Sequence, residues 1–161
     1  MRTWIKKLFA CSIILFITPC MAIKALDVTS PVGYWKTIDD VNGQPKAIIQ
    51  IVKNPDQTVY GRILKVFAEE GKAPREVCSK CVGEKHNRPI VGLIILENLQ
   101  QSGNNEWSGG EILDPKTGKV YHCSLKIMEG GQKLNVRGYI GISLFGRAQT
   151  WLRVTNADKL T

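Results

Sequence analysis

Gly33-Tyr34-Trp35 and Trp151-Leu152-Arg153 are the two stretches that decide the fold. Each sits in a short run bounded by turn formers and enriched in aromatic or β-branched residues, the composition of a β-strand. One run opens the series of candidate strands and the other carries its end. That placement suggests a single antiparallel sheet closing on itself. A closed ring of about eight strands either fills its interior with side chains or holds one small ligand there.

Between the two stretches, turn chemistry supplies the strand count. Asn42-Gly43, Asn54-Pro55-Asp56 and Asp114-Pro115-Lys116-Thr117-Gly118 are strong hairpin signals, Ser102–Asn105 and Gly130-Gly131 are ordinary connections, and Gly141–Gly146 is a weaker one. Candidate strands then fall at about 33–38, 46–53, 58–67, 91–99, 106–113, 119–128, 132–140 and 147–154. The expectation is an all-β domain, an eight-stranded up-and-down antiparallel barrel. Leu96 and Leu99, at i and i+3, also allow one short helix over 96–101. Glycines 109, 110, 138, 141 and 146 suit the bends that close a small barrel.

Residues 1–22 read as a segment separate from the fold. Arg2, Lys6 and Lys7 precede an apolar run from Leu8 to Ile17, followed by Pro19, Cys20 and Ala22, which is the layout of a cleavable signal peptide cut after Ala22 or Ala25. The run falls short of the roughly 20 residues a membrane span needs. Lipoprotein processing at Cys20 is disfavoured by Pro19. The expectation is an exported protein, periplasmic or secreted, with no stable membrane insertion after cleavage. Residues 23–161 fit one domain, long enough to bury about two thirds of its unfolded surface. From Ile23 onward, 19 Lys and Arg face 14 Asp and Glu, a net charge of +5. These charges are dispersed and form no block, so neither their pattern nor an exported setting points to nucleic acid.

Ala68–Pro89 is too long for a hairpin connection and contains Cys78, Cys81 and His86. Loops of this length are often lids over binding sites. In an oxidising compartment Cys78 and Cys81 are expected to form a short-range disulfide. A redox role would need an activated thiolate, and no helix start is evident beside them. Zinc held by Cys78, Cys81 and His86 is the other alternative. Cys123 alternates with Tyr121, Leu125 and Ile127, the setting of a buried, inert thiol, while His122 on the opposite face reads as solvated. Two histidines and no nucleophile-elbow pattern give a hydrolase triad no support, so no catalytic residue and no cofactor is expected.

Gly33-Tyr34-Trp35 with Arg153 resembles the lipocalin, or calycin, signature, in which a tryptophan at the barrel base packs against an arginine from the closing strand. Several further segments occur in order: Ser30-Pro-Val-Gly-Tyr-Trp-Lys36, Cys78-x-x-Cys81, Pro89-Ile-Val-Gly-Leu93, Trp107-Ser-Gly-Gly-Glu-Ile-Leu-Asp-Pro115, Val136-Arg-Gly-Tyr139 and Gly146-Arg-x-Gln-Thr-Trp151. Together they are similar to a family of small exported bacterial proteins catalogued as a domain of unknown function. The resemblance implies an exported lipocalin-like barrel and brings no established activity. Independently of it, an indole closing the barrel end under a stacked guanidinium gives Trp35 and Arg153 a structural role.

The last two strands leave two registers open. Arg147, Gln149, Trp151 and Arg153 share one face of the eighth, opposite Ala148, Thr150, Leu152 and Val154. In the seventh, Asn135, Arg137 and Tyr139 oppose Leu134, Val136 and Ile140. Hydrophobicity favours the aliphatic faces inward, leaving the polar ones to solvent. The inverse register makes Arg137, Tyr139, Arg147, Gln149 and Trp151 a ligand-binding set for an amphipathic molecule with an anionic head. The expected partner is such a small lipophilic or amphipathic molecule. The alternative is a packed barrel acting through its outer surface as an envelope interaction module.

Overall fold

In a computed structural model of the protein, residues 29–69, 71, 73–142 and 146–154 are described. The expected leader, 1–22, lies outside these residues. The described chain forms eight strands: β1 (Gly33–Ile38), β2 (Pro45–Lys53), β3 (Val59–Val66), β4 (Ile94–Gly103), β5 (Glu106–Asp114), β6 (Lys119–Met128), β7 (Lys133–Tyr139) and β8 (Gly146–Val154). Each pairs antiparallel with the next in sequence, and β8 pairs with β1, so the sheet is a closed up-and-down barrel. The expected all-β, lipocalin-like architecture is what the chain adopts.

Turn residues set the connections. Gly43 and Gly118 take left-handed φ values of 71° and 73°, accessible to glycine at little steric cost. Gly118 is also a point of close approach: a β-carbon there would lie 1.8 Å from the Lys80 carbonyl oxygen. The long connection is thereby pressed against the β5–β6 turn.

The helix expected over 96–101 does not form, since those residues belong to β4. Leu96 and Leu99 are nevertheless both fully buried. The sheet's alternation skips one residue between them, where Asn98 has φ 58°, and Gly109 with φ 78° marks a matching skip between the buried Trp107 and Gly110 of β5. The two skips offset each other, so the β4–β5 pairing keeps one register from Leu96–Ile112 to Gln101–Trp107. β4 begins three residues later than the sequence suggests because Gly92 and Leu93 hydrogen-bond to Ile63 of β3 in an irregular approach.

The core fills one half of the barrel. Trp35, Ile51, Val59, Leu96, Leu99, Trp107, Leu125, Leu134 and Trp151 pack together there with little or no exposure. Arg153 seals this end: its guanidinium lies 4.3 Å above the Trp35 ring and donates to the carbonyls of Gly131, Val32 and Ser30. The Trp35 indole N–H donates to the Pro31 carbonyl at 2.7 Å, so its polar atom is satisfied in the dry base.

Candidate ligand-binding cavity

The other half of the barrel is hollow. A cavity of about 950 Å³ opens at the end opposite Trp35 and Arg153, a volume in the range of small-molecule sites. The packed-barrel alternative therefore describes only the base. The walls carry Ala47, Ile49, Ile63, Ile95, Ile112 and Val136, while Trp151 forms part of the floor. Short side chains keep the space open: Ala47 and Gly138 point inward at positions where larger residues would fill it.

β8 takes the inverse of the register favoured by hydrophobicity. Arg147, Gln149 and Trp151 line the cavity, whereas Ala148, Thr150 and Leu152 are exposed outside. Sheet register dictates this: Trp151 lies opposite Thr37 and Arg153 opposite Trp35, both on the inner face of β1. Toward the mouth the inner face is wet, so polar residues are tolerated there and aliphatic content loses its value as a guide. β7 keeps its aliphatic face inward, with Leu134, Val136 and Gly138 paired to Trp151, Gln149 and Arg147.

The candidate set is thus only partly brought together. Arg147, Gln149 and Trp151 converge on the cavity. Tyr139 stands at the rim, its ring 5.6 Å from that of His122 at a tilt of 39°. Arg137 faces outward from β7, between Ser124 and Ala148 in the sheet.

The mouth holds charges that sequence reasoning did not single out. Arg147 donates from Nε and Nη2 to Asp40 Oδ2 at 2.9 and 2.6 Å. Gln149 accepts from the Trp151 indole at 3.3 Å. Asp40 raises the Arg147 pKa further, so this guanidinium stays charged. Lys46 pairs with Asp39 at 3.0 Å, and that contact, aided by the Val41 and Asn42 amides, brings the Asp39 pKa to about 2. Asp39 and Asp40 stand one residue ahead of the Asn42-Gly43 turn, separated from it by Val41; two acids at a hairpin tip were the available signal.

The long connection forms one side of the mouth through Ala73, Pro74, Arg75 and Ile90. Cys78 and Cys81 are joined in a disulfide, as expected, and both are buried against the core, which the sequence did not indicate. Their sulfurs are thereby unavailable as thiolate zinc ligands. Main-chain bonds Cys78 N to Arg88 O and Ile90 N to Glu76 O fold the loop on itself, and Arg75 donates to the Pro115 carbonyl. Cys123 is a free, buried thiol on the inner face of β6, and burial pushes its pKa up to about 12.

A closed eight-stranded ring with a sealed base and an open cavity defines the class: the fold is lipocalin-like. Among solved structures the chain is similar to a protein described as "Protein HP1028 from the human pathogen Helicobacter pylori belongs to the lipocalin family". The TM-score is 0.67 at 15% identity, covering 81% of this chain and 86% of that one, a likeness of fold. No curated protein matches the sequence. The chain belongs to the bacterial family described as "Uncharacterized protein conserved in bacteria (DUF2147)", whose signature matches residues 33–153.

Proposed function

We propose that this protein is an exported, non-catalytic binding protein for a small lipophilic or amphipathic molecule. The observation that carries the reading is the asymmetric interior, packed and capped at Trp35 but open above Trp151 with aliphatic walls. An apolar body would occupy the space between Ile49, Ile63, Ile112 and Val136, releasing water from its own surface and from theirs. A polar end would remain among Arg147, Gln149 and Lys46. Because Arg147 and Lys46 already hold carboxylates, an anionic head would exchange with Asp40, while an uncharged head would leave the pair intact.

Export is supported by the leader-like residues 1–22 and by the disulfide, which persists in oxidising compartments. Among the described residues no helix is long and apolar enough to cross a membrane.

Titration with a fluorescent fatty acid tests the reading, together with native mass spectrometry of protein extracted gently from its host. Saturable binding is expected, and Gly138→Leu, which projects a side chain into the cavity, should abolish it while the barrel stays folded by circular dichroism. Equal binding by the folded variant, or no saturable binding by the natural protein, refutes the proposal.

A further inference from the structure

The wall of the cavity is not laddered all the way to its rim. β7 pairs with β8 as far as Tyr139 opposite Gly146, but the pairing of β8 with β1 stops at Thr37 opposite Trp151. Residues 146–150, the first five of β8, are therefore laddered to β7 alone, and all but Gln149 are exposed. Both margins of this gap face the ligand space, Asp39 and Val41 lining the cavity on one side of it and Arg147 and Gln149 on the other.

On the β1 side the margin is a self-contained hairpin tip, residues 39–46. Asp39 N donates to the Gln44 carbonyl and Gly43 N to the Asp39 carbonyl, both at 2.9 Å, while the Asp39 carboxylate accepts from the Val41 and Asn42 amides and pairs with Lys46. All of these bonds are internal, so the tip keeps its shape whether or not it touches β8. Its root is irregular: the β1–β2 register shifts between Thr37 and Ile38, and the ladder from β2 to β3 reaches no further than Ala47 opposite Val66 and one bond from Phe67 to Lys46. A rigid tip on a bulged root is the construction of a hinged flap.

Among the described residues, every hydrogen bond and ion pair between this tip and β8 comes from Asp40. Oδ2 accepts from Arg147 Nε and Nη2, and Oδ1 accepts from Gln149 Nε2 at 3.5 Å. Asp40 does not line the cavity; its side chain spans the gap instead. With the Arg147 side chain 70% exposed, water competes for this contact and thermal motion can release it. The opposite side of the mouth is pinned, since the long connection is held by its disulfide, by the close approach of Lys80 to Gly118 and by the bond from Arg75 to the Pro115 carbonyl. If the mouth is to widen, the tip is the side that yields.

We propose that the tip is a gate and Asp40 its latch: residues 39–46 swing away from β8 about the bulge between Thr37 and Ile38, splitting the seam above Trp151 and widening the mouth for an apolar molecule to pass. Ligand passage rests on the binding reading above; the opening of the seam does not.

Stopped-flow measurement with a fluorescent long-chain alcohol tests the gate, an uncharged probe being chosen so that loss of a carboxylate does not itself change its attraction. Asp40→Ala should raise the association and dissociation rate constants together, about two- to fivefold, the range a largely exposed ion pair supports, with Kd changing less than about twofold. A second protein, Val41→Cys and Ala148→Cys in a Cys123→Ala background, places thiols at two exposed positions on either side of the gap. Bridging them with a short bismaleimide, verified by mass spectrometry and with folding checked by circular dichroism, should slow both constants about tenfold or more relative to the single-cysteine controls. Unchanged rate constants in either protein overturn the gate, and so does a change in dissociation alone, which would make Asp40 a ligand contact. If the natural protein binds no probe, the ligand reading fails and the seam is measured directly. Nitroxide labels on the same two cysteines should then give a distance distribution that broadens on Asp40→Ala, and one that stays narrow overturns the gate.

Discussion

Replacing Arg153 by Ala should cost the barrel about 3 to 5 kcal/mol, and the structure shows where the loss arises. The guanidinium lies 4.3 Å from the centre of the fully buried Trp35 ring, where a desolvated cation–π contact contributes about 1 to 2 kcal/mol. It also donates to three main-chain carbonyls, those of Ser30, Val32 and Gly131, which tie the entry to β1 and the β6–β7 connection to β8. Charge-assisted hydrogen bonds contribute about 1.5 to 3 kcal/mol where well buried, and less where water can replace the donor, as at half-buried Arg153. For a domain of this size the total corresponds to a fall in Tm of roughly 10 to 15 °C. Arg153→Lys retains the charge but not the planar fork, and should recover less than half of the loss. Urea titration followed by tryptophan fluorescence reads both variants. Since the base and the mouth are opposite ends of the ring, fatty acid affinity of the folded fraction should be unchanged in either. A loss below about 1 kcal/mol for Arg153→Ala would refute the idea that this clamp holds the ring shut.

Three other changes probe separate parts of the molecule. Removing the disulfide with Cys78→Ser and Cys81→Ser should lower stability by about 2 kcal/mol, because the closed ring of residues is small, and should speed limited proteolysis between Ala68 and Pro89. The raised pKa of Cys123 means the folded protein binds this proton more tightly than the unfolded chain does. Its contribution is therefore complete below the ordinary thiol value of 9.0 and is lost as pH rises toward about 12; denaturation across that interval should show a loss that Cys123→Ala reduces. Asp40→Asn should change stability by less than about 1 kcal/mol, as its pair with Arg147 is largely exposed. The freed guanidinium should tighten binding of the fluorescent fatty acid relative to an uncharged analogue, measured by competition.

How legible the molecule was in its sequence depends on which face of a strand mattered. Asn42-Gly43 and Asp114–Gly118 punctuate the chain where it turns, and Trp35 and Arg153 meet where the first and last strands join. Alternation also located Cys123 on the dry face of β6. It failed on β8, because Arg147 and Gln149 face an interior that is open to water and Ala148 and Leu152 face the outside. Counting apolar residues assumes that inside means dry, and near the mouth of a hollow barrel it does not. Leu96 and Leu99 misled for a different reason: their helical spacing comes from a skip in the strand alternation that only the paired distortion at Gly109 makes intelligible. Asp40 was invisible as a partner of Arg147, since the two lie far apart in sequence and come together only when β1 and β8 do.

The seam between β1 and β8 is short, pairing Tyr34–Thr37 with Trp151–Val154, and those two segments stand at opposite extremes of the folded sequence. Until the final strand has emerged from the ribosome, β1 has a bare edge and the arginine that caps the base is missing. The nascent chain therefore has no closed ring before its last strand is made, and loss of the last ten or so barrel residues would leave two sticky strand edges rather than a smaller intact barrel.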